Sequence, residues 1–346
     1  MEAAALIPSK TKRTQVEREF RTELSALGLD WKSLKKVLPD WADTAFNSRA
    51  GFLELKTFLV RNTGLEMHEN GVLTSRSLPT ARFKTTAGTS QDQVVAARTI
   101  ATACAKLVAK ATNTSWGGLS SHADQLRRLA TARSKRNWVD FESVLEACWS
   151  SGVPVIYLPD LPIKGRKMEG MVTYVGGHPV VVLTKKITNP DWMLFILAHE
   201  IGHIAKGHLQ ETEGEAIVDE KIEDEDTGDQ QEQEANSYAT ALLAKDGMEF
   251  VIEGALPRAP ELAAEALEFG SKHGVSPGYV ILNAIHNSRI RGKQPFGLAH
   301  AALKLLPDYL TNADVASLCK AALRRHVNAD HLSDDSVEYL EKLAQL

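Results

Sequence analysis

NPDWMLFILAHEIGHIAKG occupies residues 189–207. Its start is punctuated for a helix: Asn189 suits the N-cap, Pro190 the first helical position, and Asp191 the positive helix end. Gly207 supplies the stop. Between them the segment is apolar almost all round, which predicts a buried helix. Two histidines and a glutamate inside such a helix need partners. His199 and His203 are one turn apart, so both imidazoles share a face and can reach a single ion. Glu200 is turned by about 100°, where it can meet water beside that ion without being a ligand. Metal-assisted hydrolysis needs this division of labour. Two neutral nitrogens hold the metal, the metal lowers the pKa of water, and a carboxylate takes the proton and later hands it to the leaving amine. The bland alternative is a buried histidine pair satisfied by hydrogen bonds.

A third metal ligand has to come from outside this helix. The nearest candidates lie in Glu232-Gln233-Glu234-Ala235-Asn236, at the start of the helical segment QEQEANSYATALL (231–243). Glu232 shares a helical face with Ala235, Asn236 and Ala239, whereas Glu234 points about 160° away from it. If that face meets the motif helix, Glu232 rather than Glu234 points at the metal, and Asn236 can hold a ligating imidazole. His208 does not complete a HExxHxxGxxH pattern, because Lys206 stands where that pattern wants Gly; it reads as a cap or surface residue. His178 reads as a turn residue. His273 and His286 read as ordinary helical histidines rather than helpers in the cleft.

Upstream of the motif the period changes. VPVIYL (153–158), GMVTYV (170–175) and PVVVLTKK (179–186) are β-branched runs bounded by Pro and Gly, the last two joined by a Gly176-Gly177-His178 hairpin signal. A small antiparallel sheet is therefore expected directly before the motif helix, with 179–186 as an edge strand that can bind an extended peptide by strand addition. The rest reads as helix. In 17–38, Phe20, Leu24, Leu27, Leu29, Leu34 and Val37 fall near helical spacing. QVVAARTIATACAKLVAKAT (93–112), WVDFESVLEACW (138–149) and most of 250–346 follow suit. Residues 72–92 read as a linker, and the acidic run Glu211–Asp229 as a solvated loop. The expected fold class is α+β, mostly helical. The expected segments are an N-terminal helical module (1–85), a metallopeptidase core (86–250) and a C-terminal helical domain (251–346), in keeping with 346 residues.

LAHEIGHIAKGH (197–208) and EQEANSYATALL (232–243), with the approach RKMEGMVTYVGGHPVVVLTKK (166–186), resemble the ImmA/IrrE family of metallopeptidases, a gluzincin-like HExxH group. The similarity covers about 150–245, under a third of the chain. It implies His199 and His203 as metal ligands, Glu200 as catalytic base and Glu232 as third ligand. Tyr238 replaces the family's usual Phe, Ala244-Lys245-Asp246 stands where Met-Pro is usual, and the acidic insertion before Glu232 is long. The resemblance also implies a regulatory endopeptidase that cuts a specific protein, such as an Xre-type helix-turn-helix repressor, in stress response or transcription regulation.

Composition narrows the classes. A formal net charge of -4 and the lack of a basic recognition helix argue against direct nucleic-acid binding. No run of about 18 apolar residues suggests a membrane span, and the first residues lack a secretory pattern. Cys104, Cys148 and Cys319 are widely separated and odd in number, as in a cytoplasmic protein with reduced thiols. The expected cofactor is Zn2+, although a two-His, one-carboxylate site also accepts Mn2+ or Fe2+. Two other readings compete. One is a non-cleaving, metal-dependent module that sequesters a transcription factor; an intact Glu200 argues against it. The other is a general degradative protease; the lack of a secretion signal and of disulfides argues against that.

Overall fold

The computed structural model describes residues 10–77, 82–84, 91–164, 168–219, 229–288, 294–307 and 313–344. The motif helix, α7 (Pro190–Ala205), begins as its sequence dictates. The Asn189 side chain accepts from the backbone N–H groups of Asp191 (2.9 Å) and Trp192 (3.2 Å). Gly207, at φ 71°, ends it. Twelve consecutive or near-consecutive residues from Met193 to Ala205 are buried, so α7 is an interior helix. It packs on α8 (Gln230–Leu243), on α6 (Phe141–Ser150) and on the sheet.

That sheet is built around the hairpin of β5 (Gly170–Val175) and β6 (His178–Leu183). Gly176 and Gly177 have φ 58° and 80°, the two left-handed positions a type I′ turn requires. β4 (Val155–Tyr157) joins β6 in parallel, β7 (Ala216–Asp219) joins β5 antiparallel, and β3 (Arg82–Lys84) joins β7 in parallel. The order is β3-β7-β5-β6-β4, antiparallel at the centre with parallel outer pairs. Consecutive residues of β5 and β6 are buried, so both faces are covered. The helices α4 (Gln91–Ala111) and α7 both pack on them.

Three expectations change. Residues 179–186 do not form an edge strand: β6 ends at Leu183 and lies between β5 and β4, which pairs with Val181, Val182 and Leu183. The acidic run is not all loop, because Ala216-Ile217-Val218-Asp219 is a fully buried strand; its residues 220–228 lie outside the described residues. Within the expected linker, β2 (Leu73–Ser75) pairs with β1 (Leu65–Met67), and β3 reaches the main sheet. The linker's residues 78–81 and 85–90 lie outside the described residues, as does the expected boundary at 85.

The outer helices close around this centre. In the N-terminal part, α1 (Lys10–Ala26) and α3 (Arg49–Thr63) gather Phe20, Trp31, Phe46 and Phe52 with ring centroids 5.2–6.1 Å apart. The last helix, α13 (Asp334–Leu343), docks on α3: Ser336 Oγ donates to Asn62 Oδ1 at 2.8 Å, and Phe58 meets Tyr339 edge-on at 5.9 Å. One cluster of buried apolar side chains runs from Phe20 to Ala344.

The C-terminal part is tied to α7 at its first turn. On α10 (Pro277–His286), Gly278 has no side chain, and a Cβ there would overlap the Asp191 carboxylate. Ser276 Oγ donates to Asp191 Oδ1 at 2.9 Å. Burial pushes the Asp191 carboxyl up to about 6, with the Ser276 hydrogen bond opposing part of the rise. The folded chain therefore binds this proton more tightly than the unfolded chain. The contribution is present below about pH 4 and is lost as pH rises through 6. Relative to Asp191→Asn, the wild type should lose up to about 3 kcal/mol of stability between pH 4 and pH 7. Urea unfolding of both proteins across that range checks this; parallel pH profiles would contradict it.

Candidate metal centre

His199 and His203 project from one face of α7 with their Nε2 atoms 3.1 Å apart. Glu232, in the first turn of α8, reaches them: Oε1 lies 3.1 Å from His203 Nε2 and Oε2 lies 3.5 Å from His199 Nε2. A fourth group joins. Asp219, the last residue of β7, places Oδ2 at 3.5 Å from His199 Nε2 and 3.7 Å from His203 Nε2. One donor atom from each of the four residues lies within 4.8 Å of the others, and all four residues are buried.

Two contacts set this geometry. Gly202 of α7 faces Ala235 of α8 so closely that a Cβ at 202 would stand 2.7 Å from the Ala235 carbonyl oxygen. The missing side chain lets the helices approach until Glu232 reaches the imidazoles. On the other side, a Cβ at Gly170 would overlap Glu200 Oε1, so this glycine makes the room in which Glu200 lies. Gly170 also pairs with Asp219 across the sheet, which brings strand and helix carboxylates to the same place.

The outer nitrogens of the imidazoles are held. His199 Nδ1 lies 2.7 Å from Asn236 Oδ1; since that oxygen only accepts, Nδ1 carries a hydrogen, and Nε2 is the nitrogen turned toward the cluster for a ligand role. His203 Nδ1 lies 2.9 Å from His208 Nδ1, and His208 Nε2 lies 2.9 Å from Glu234 Oε2. The chain is satisfied when His203 donates to His208 and His208 donates to Glu234, which also leaves His203 Nε2 free. His208 is thus not a cap or surface residue: it is buried and braces His203. Glu234 points away from the cluster and anchors that brace. His178 contacts the Gly152 carbonyl at 2.9 Å, His273 stacks on Phe269, and His286 meets Gln294.

The electrostatics are extreme for a protein interior. Glu200 is fully buried, and neither of its carboxylate oxygens nor those of Asp219 accepts a hydrogen bond among the described residues. Burial, reinforced by the Asp219 charge, pushes the Glu200 carboxyl well above the usual carboxylate range, with His199 opposing. Burial alone would lower His199, but Asp219 and Glu232 outweigh it and raise the imidazole to about 10. Burial lowers His203, with Glu232 opposing. Three carboxylates and two imidazoles in a dry interior form an excess of acceptors that a divalent cation satisfies. Two nitrogens and two carboxylate oxygens suit Zn2+, Mn2+ or Fe2+.

Comparison with known proteins agrees with this chemistry. Residues 148–253 match the family model of the IrrE N-terminal-like domain, peptidase M78. No curated protein and no solved structure matches the chain. The match takes in α7, β7 and α8, and so all the residues of the cluster.

Asp219 is the residue that sequence reasoning missed. It sat inside a run read as solvated acid, although the apolar triplet Ala216-Ile217-Val218 before it carried a strand signal. Removing Glu232 should cost more metal affinity than removing Glu234, and Asn236→Ala should cost roughly 10- to 100-fold. Metal analysis of the three purified variants after equilibrium dialysis checks the order. Equal retention in Glu232→Ala and Glu234→Ala would overturn the assignment of the inner carboxylate.

Proposed function

We propose that this chain, which carries an ImmA/IrrE-type metallopeptidase domain over residues 148–253, is a zinc-dependent endopeptidase that hydrolyses a peptide bond in a specific regulatory protein. The observation that carries the reading is the Glu200 carboxylate, buried and accepting no hydrogen bond among the described residues, beside a two-histidine donor pair. In this reading His199, His203 and Glu232 hold the ion. When bound, a divalent ion polarises a peptide carbonyl and lowers the pKa of water.

The chain's own residues do the remaining work. Glu200 takes a proton from the attacking water as the oxygen–carbon bond forms, and passes that proton to the amide nitrogen as the carbon–nitrogen bond breaks. Burial raises the proton affinity of Glu200, which suits a group that must both accept and release a proton. Asn236 and the His208–Glu234 pair keep the imidazoles in the tautomer that presents Nε2.

A narrow substrate fits better than general digestion, because the reaction centre lies within the fold rather than in an open cleft. An Xre-type helix-turn-helix repressor is the substrate that the family resemblance suggests. Three unpaired buried cysteines, with burial raising the Cys104 thiol to about 12, support a reducing, cytoplasmic setting. The same burial of the centre favours one competing reading, in which the chain binds its partner without cutting it.

A substrate trap separates the two. Glu200→Gln should keep its metal and lose cleavage. Immobilised Glu200→Gln protein should retain a transcription factor from lysate of the source cells, and wild type plus Zn2+ should cut that factor once by intact mass. A retained factor left whole by metal-loaded wild type would favour the non-cleaving reading. Loss of metal in Glu200→Gln would show that Glu200 is itself a ligand.

A further inference from the structure

Asp219 occupies a place that a hydrolytic centre ordinarily leaves open. Zinc ligands at about 2.0–2.1 Å in a tetrahedron stand roughly 3.3–3.4 Å from one another. His203 Nε2 stands 3.1 Å from His199 Nε2 and 3.1 Å from Glu232 Oε1, and His199 Nε2 stands 3.5 Å from Glu232 Oε2, each close to that edge length. Asp219 Oδ2 stands 3.5 and 3.7 Å from the two histidine nitrogens, near the same edge length, and within 4.8 Å of the Glu232 donor. Structural zinc sites fill all four corners with protein, whereas catalytic ones keep one for water or substrate.

Among the described residues, the Asp219 carboxylate faces only this cluster. The residue is 1% exposed, and neither oxygen accepts a hydrogen bond among the described residues. Its strand is held at both ends: at this one, Glu169 N donates to the Asp219 carbonyl at 2.8 Å, and Asp219 pairs with Gly170 on one side and Lys84 on the other. At the opposite end, Gly214 N donates to the Tyr174 carbonyl at 2.7 Å, Tyr174 N to the Glu215 carbonyl at 3.0 Å, and Thr173 Oγ1 to the same carbonyl at 2.8 Å. β7 therefore enters the sheet on a firm anchor and delivers its final residue to the centre, opposite Gly170 and beside Glu200.

We propose that Asp219 is a fourth protein ligand and that it closes the centre: a water or peptide oxygen takes its corner only when the Asp219 carboxylate leaves it. This rests on the reading of the buried cluster as a metal site, and it adds a regulatory state to it. The exchange is a ligand substitution, in which the carboxylate leaves and one neutral water or carbonyl oxygen takes its corner. The peptidase would then be held inactive by its own strand.

Cobalt-substituted protein tests this without relying on cleavage. The probe is acetohydroxamate, a small anion that binds an open metal corner, followed by visible absorption of the cobalt. Wild type should be compared with Asp219→Ala and with Asp219→Asn, the near-isosteric variant that guards against a folding defect; thermal melts report on folding. Both variants should retain cobalt through His199, His203 and Glu232, bind acetohydroxamate at least about tenfold more tightly than wild type, and lose metal to a chelator at least about tenfold faster. Equal hydroxamate affinity and equal chelator rates in all three proteins would overturn the proposal while leaving the three-ligand centre intact. A folded wild type that takes up no cobalt would overturn both together.

Discussion

Two imidazoles and three carboxylates share one dry point between α7, α8 and the sheet, and the rest of the fold is arranged around the consequence. Placing ionised groups in a protein interior costs several kcal/mol each even after relaxation. Apolar packing alone cannot hold such a cluster together, since its three carboxylates repel one another. The arrangement is stable when charge of the opposite sign sits among them, and the separations of the donor atoms match what a divalent ion requires. Glu200 and Asp219 make the argument sharper than the histidines do. Histidines can satisfy one another by hydrogen bonds, whereas these carboxylates accept none among the described residues.

Support for that point comes from places with no chemistry of their own. Gly202 lets α8 approach α7, and Gly170 leaves space for Glu200. Asn189 starts the helix, and Asp191 binds its first turn to the C-terminal helices through Ser276. These contacts explain why the motif helix can be both wholly buried and rigidly oriented. The sheet contributes differently. Its central hairpin lines the floor, and β7 brings a carboxylate from a segment that follows the motif helix in the chain.

Much of the centre was legible in the sequence because it depends on local geometry. The four-residue spacing of His199 and His203 and the helical face shared by Glu232 and Asn236 follow from 3.6 residues per turn, and the caps of α7 follow from backbone donors that need acceptors. The Gly176-Gly177 hairpin was equally plain. What escaped the sequence depends on tertiary placement. The triplet Ala216-Ile217-Val218 marks a strand, but nothing local to Asp219 shows that its carboxylate turns into the interior. His208 braces His203 only because the chain turns back at Gly207. Residues 179–186 look like an edge strand until β4, from earlier in the chain, is seen to pair with 181–183 in parallel.

The central claim is that His199, His203, Glu232 and Asp219 surround one metal ion. Anomalous X-ray scattering from crystals of the zinc-loaded protein, recorded on both sides of the zinc edge, addresses it most directly. The account predicts a single strong peak about 2.0–2.2 Å from both Nε2 atoms and from one oxygen each of Glu232 and Asp219. A peak elsewhere, such as between His208 and Glu234, or no peak at all with the four side chains still in place, would contradict it.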